Sequence, residues 1–163
     1  MCRSFLSPYK NENGEYIFES RFNIGVVTIN LPQIAILTKG DEEAFFKLLD
    51  ERLELCYEAL MLRYKKLKGV TSDVSPIHWQ HGGLARLKKG QTIDHLLENG
   101  YATISLGYIG LYEVTKLIKG VSHTQDKEFS LKVLRRLKEA TEKWKKETGL
   151  GFGLYGTPKF LGL

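Results

Sequence analysis

The first residue whose type suggests chemistry is Cys2, in the short polar run Cys2-Arg3-Ser4. A thiol on a loop tip can be presented to a substrate, and a neighbouring guanidinium favours its thiolate. The same placement suits an incidental cysteine with no role, and spacing alone leaves both readings open. Cys56 is different, because steps of four and three put it on an apolar helical stripe, where a thiol packs as a small hydrophobe. His78 and His81 could open a metal site, but no cysteine or carboxylate beside them completes one, so ligation is not expected. By residue type alone, Asn23 is an asparagine tolerated in a bend before a strand. Glu113 falls where a helix should begin, and a carboxylate there complements the helix dipole. The Lys/Arg run over 132–146 carries Glu139 and Glu142 within it and reads as a solvated helix face, not a nucleic-acid interface.

Such residues need elements to position them. Residues 15–18 and 24–31 read as strands separated by a polar bend. Val26, Val27, Thr28 and Ile29 favour a pleated strand buried on both faces, and Pro32 closes it. Residues 41–68 form the clearest helix, with acids at its start, lysines at its end and Gly69 as its stop. Residues 84–87 suggest a short helical turn, and Thr92 could cap a helix through Leu97. A second strand is expected over 101–106, a glycine turn over 107–110 and a helix over 111–118. A long helix follows over 126–148, then a third strand over 152–155. That order predicts an α/β architecture with a parallel sheet, in one domain.

Composition sets wide bounds. The 163 residues are 42% hydrophobic, enough for a sizeable core, with a net charge of +5 that weakly favours anionic partners. No apolar run is long enough to span a bilayer, no secretory leader opens the chain, and two cysteines suit a reducing compartment. A cytoplasmic protein with no membrane and no direct nucleic-acid partner is the expectation.

Several segments resemble the anaerobic (class III) ribonucleoside-triphosphate reductases. They are Cys-Arg-Ser-Phe-Leu from Cys2, Arg-Phe-Asn from Arg21, and Gly-Val-Val-Thr-Ile-Asn-Leu-Pro from Gly25. Leu-Ala-Arg-Leu-Lys from Leu84, Ile-Ser-Leu-Gly-Tyr-Ile-Gly-Leu-Tyr-Glu from Ile104 and Gly-Phe-Gly-Leu-Tyr-Gly-Thr-Pro from Gly151 continue the pattern. Their order and spread, from Cys2 to Pro158, make the resemblance far more specific than any one segment.

The resemblance implies a glycyl-radical enzyme on a ten-stranded α/β barrel, of which residues 1–163 would be the central part. It places Cys2 at the tip of a finger loop inside the barrel, as the thiyl radical that abstracts the 3′ hydrogen of a ribonucleoside triphosphate. It places Asn23 beside the ribose, and Gly156 and Thr157 at the start of a loop binding substrate phosphates, although the sequence departs from the family after Pro158. It further implies formate as reductant, a radical-SAM iron–sulfur activase as partner, and a homodimeric full-length enzyme. The radical glycine and a zinc site would lie on segments outside this chain. On this reading the chain is an internal fragment, inactive alone. The alternatives are a catalytically inactive truncated fragment or interaction module needing a complementary chain, and a stand-alone basic nucleic-acid-binding domain.

Overall fold

The structure, a computed structural model, describes residues 6, 8–10 and 13–156. Strand β1 (Phe22–Asn30) runs into α1 (Leu31–Leu37) and the long α2 (Glu42–Leu67). A connecting region holds a 3-10 turn (Ser72–Val74) and the short helices α3 (Pro76–Trp79) and α4 (Asp94–Leu97). Then come β2 (Ala102–Ile109), α5 (Leu111–Lys119), α6 (Lys127–Thr148) and β3 (Gly151–Gly156). The strands form one parallel sheet in the order β1-β2-β3. The α/β architecture and its parallel sheet are as the sequence predicts.

Local chemistry sets the helix limits. The Asp41 carboxylate accepts from the Ala44 amide at 2.7 Å, and Asp126 accepts from Phe129 at 2.9 Å, so each long helix begins on a capping carboxylate. Helix α6 ends at Gly149. The buried residues of α2, namely Phe45, Leu49, Leu53, Cys56, Leu60 and Tyr64, reproduce the predicted stripe.

Pleating gives the sheet two unlike faces. Ile104, Leu106 and Phe152 point toward α2 and α6, and Trp144 meets Phe152 edge-on with centroids 5.6 Å apart. Thr103, Ser105 and Gly107 of β2 lie on the other face, beside Gly151, Gly153 and Tyr155 of β3. One face is core and the other is small and polar.

Several expected elements differ. Residues 15–18 form no strand, and only an isolated bridge joins Tyr16 to Lys10. Helix α1 was not expected after Pro32. It forms because proline suits a first helical turn, and the Asn30 side chain accepts from the Gln33 amide at 3.2 Å. Strand β2 continues through Gly107 to Ile109, because its ladder to β1 extends over Gly107 and Tyr108, so the chain turns only at Gly110. Residues 84–87 are not helical. The amides of Leu84, Ala85 and Leu87 donate instead to carbonyls of α3, with Leu87 bonded to Trp79 at 2.6 Å. Strand β1 is half-buried rather than enclosed on both faces, with only Ile29 fully buried, since it is an edge of the described sheet.

Two predictions arise from this packing. Phe45 is fully buried between Phe46 and Phe129, with centroids at 5.3 and 6.0 Å. Phe45→Ala is expected to cost about 3–5 kcal/mol, read as a lower denaturant midpoint of the full-length protein. Glu42 at the start of α2 bridges Lys119 of α5 and Lys132 of α6. Hydrogen bonds from Lys119 and then Lys132 hold its carboxyl below the usual carboxylate range. A depressed carboxyl contributes its stability above its unfolded pKa and loses it as pH falls through the folded value. Glu42→Gln is therefore expected to lower stability at neutral pH and to leave stability in acid unchanged, read as denaturant midpoints at the two pH values.

Candidate active site

The polar face of the sheet carries the candidate site. Ile24 is an extra residue in β1: Asn23 pairs with Thr103 and Gly25 with Ile104, so the register slips by one between them. This bulge re-aims the Asn23 side chain, as bulges beside functional sites commonly do. The amide is held at both ends. Its Oδ1 accepts from the Gly25 N–H at 2.8 Å, and its Nδ2 donates to Ser105 Oγ at 2.6 Å.

The bulge is braced from the opposite face. Arg63 of α2 donates to the Val26 carbonyl at 2.9 Å. Gly25 has φ +151°, and a Cβ there would lie 2.5 Å from the Arg63 guanidinium. The backbone angle favours glycine, and any larger side chain would also displace the Arg63 guanidinium from its place over the bulge. Next along, Arg21 donates to the Gly100 carbonyl at 2.9 Å and to Thr103 Oγ1 at 3.3 Å. Partial burial lowers the Arg21 guanidinium from its ordinary value. Arg21 with Thr103 and Asn23 with Ser105 thus form two neighbouring hydrogen-bonded pairs across the start of β1 and β2.

The strand ends make a second locus. Asn30, Ile109 and Gly156 lie toward the carboxyl ends of the three strands, the edge where parallel α/β sheets place ligands. Gly156 is the last residue of β3 and pairs with Tyr108. Burial pushes the Tyr108 hydroxyl pKa up. Glu113 lies in the first turn of α5, as expected.

Of the predicted site residues, Asn23 lies at the β1 bulge and Gly156 at the end of β3, five register steps apart in the strand direction, from Thr103 to Tyr108. At about 3.3 Å per residue that separation is roughly 16 Å. Cys2 and Thr157 lie outside the described residues. Cys56 is buried, and burial pushes its thiol pKa up, which suits a core thiol. His78 and His81 are both exposed, and His78 Nδ1 lies 2.7 Å from Ser75 Oγ. Among the described residues no group of three His, Cys, Asp or Glu side chains could hold a metal ion. Ser105, Thr103, Arg21 and Arg63 were not singled out from the sequence. The available signal was the period-two alternation of Thr103, Ser105 and Gly107 with Ile104 and Leu106.

The family model for anaerobic ribonucleoside-triphosphate reductase matches residues 1–159. This chain belongs to that family. It is 48% identical over 162 residues to the anaerobic ribonucleoside-triphosphate reductase of Salmonella typhimurium, covering 96% of this chain and 23% of that protein. Against the enzyme of the same name from Enterobacteria phage T4 it is 41% identical, covering 96% of this chain and 26% of the relative. The chain therefore spans about a quarter of the length of these relatives. Its fold matches the anaerobic ribonucleotide reductase from Thermotoga maritima with citrate in the active site. There the TM-score is 0.64 at 23% identity, over 96% of this chain and 28% of that one. The three-stranded sheet and its outer helices are thus a portion of the reductase-type α/β barrel. No helix among the described residues is long and apolar enough to cross a membrane.

Proposed function

We propose that this chain is the active-site-bearing central part of an anaerobic ribonucleoside-triphosphate reductase, which converts ribonucleoside triphosphates to deoxyribonucleoside triphosphates for DNA synthesis. The observation that carries the reading is the family match over residues 1–159, which takes in Cys2, Asn23, Gly156 and Thr157.

Each residue has a distinct task. Cys2 carries a sulfur-centred radical and takes the 3′ hydrogen of the ribose: an S–H bond forms as the C3′–H bond breaks. The weak S–H bond makes that exchange reversible. Asn23 offers both a donor and an acceptor to ribose hydroxyls without titrating. Gly156 and Thr157 open the loop that receives the phosphates, where backbone N–H groups favour anions. Enclosure of the site keeps water from the radical.

The rest of the apparatus belongs to the full-length protein. A radical-SAM iron–sulfur activase installs the radical on a glycine, formate supplies reducing equivalents, and the enzyme works as a cytoplasmic homodimer. Zinc has no three-ligand donor set among the described residues, so no step runs through it here. The test is deoxynucleotide formation by the full-length protein after radical loading. Formation that stops on loss of the Cys2 thiol supports the reading, and formation that continues overturns it.

A further inference from the structure

We infer that Ser105 is a positioning residue for Asn23, holding in place on the polar face of the sheet the donor end of an amide whose acceptor end meets the Gly25 N–H. The inference rests on the reading of Asn23 as a ribose contact and adds the group that orients it.

A side-chain amide is nearly symmetric in shape, so its hydrogen-bond partners decide its orientation. The Gly25 N–H can only donate, so the end it meets at 2.8 Å is Oδ1. The other end is then Nδ2, a donor, and Ser105 Oγ at 2.6 Å is its acceptor. Ser105 is fully buried on the central strand, paired with Val26 on one side and Gly153 on the other. Its oxygen therefore stays in place. The bulge at Ile24 brings Asn23 within reach of it, and Arg63 secures that bulge by its bond to Val26. A fully buried serine on a strand whose opposite face is Ile104 and Leu106 is costly unless its hydroxyl is engaged. The amide of Asn23 engages it.

The test is equilibrium binding of a ribonucleoside triphosphate and its 2′-deoxy counterpart to the full-length protein without its radical, in Ser105→Ala, Ser105→Thr, Asn23→Ala and the double variant. Ser105→Ala should weaken ribonucleotide binding about 5–20-fold and the deoxynucleotide much less, so sugar selectivity falls. Ser105→Thr should restore selectivity, and the double variant should be no worse than Asn23→Ala alone. A packing defect would instead weaken both nucleotides equally. Equal weakening, unchanged selectivity in Ser105→Ala, or losses that add in the double variant would overturn the assignment. If Asn23→Ala itself leaves selectivity intact, the ribose reading of Asn23 fails and takes this inference with it. A selective effect at Asn23 with none at Ser105 sinks Ser105 alone.

Discussion

Cys2→Ser in the full-length protein carrying this segment is expected to abolish deoxynucleotide formation while leaving the glycyl radical at its normal yield. Serine differs from cysteine by one atom and keeps a donor and an acceptor, so packing and polarity change little. What changes is the strength of the bond to hydrogen. An O–H bond is too strong to exchange hydrogen atoms reversibly with a glycine Cα and a ribose carbon, whereas an S–H bond is weak enough. The radical is installed elsewhere in the protein, so its spectroscopic integral should not move. Loss of turnover together with loss of radical would point to a folding or activation defect. Retained turnover would refute Cys2 as the hydrogen carrier. Cys56→Ser is the control: that thiol lies on the buried stripe of α2, so turnover should persist while stability drops.

The same two cysteines show how far the sequence could be read. Cys56 was legible from helical periodicity, because residues three and four positions away mark the apolar stripe that carries it. Cys2 was not, since a thiol in a polar run says nothing of what lies opposite. Only the ordered set of family segments gave it a role. The long helices were legible for the same local reason, through their capping carboxylates and apolar stripes. Helix α1 was not, because Pro32 reads equally as the end of a strand and the first turn of a helix. The sequence suggests too short a β2 because Gly107 resembles a turn signal. In the sheet that glycine lies between Thr28 and Tyr155, where a Cβ would come within 2.7 Å of Thr28 Oγ1. Asn23 shows the limit most clearly. Arg63 bonds the strand beside its bulge and Ser105 bonds its amide nitrogen, and both are distant in sequence.

Gly110→Ala should give the largest loss of stability among single-atom additions at the carboxyl edge of the sheet. Gly110 precedes α5 with φ +80°, a left-handed angle that costs an L-residue about 1–2 kcal/mol. A Cβ there would also collide with Cγ and Cδ of Pro32, which opens α1. A proline ring cannot swing aside, so overpacking adds about 1–3 kcal/mol, for a total of roughly 2–5 kcal/mol. The damage falls where it matters for the proposed chemistry. The β1–α1 and β2–α5 turns meet at this contact, α1 packs along α5, and β3 delivers Gly156 to the same edge. Faster hydrogen exchange is therefore expected in peptides spanning α1 and α5, with no change in α6. Gly120→Ala separates the two causes. Its φ of +75° is equally left-handed, but nothing lies within 4 Å of its Cβ position, so it should show the backbone cost alone. Pro32→Ala added to Gly110→Ala removes the colliding atoms and should recover part of the difference. No recovery would mean that the two turns are not coupled through this contact.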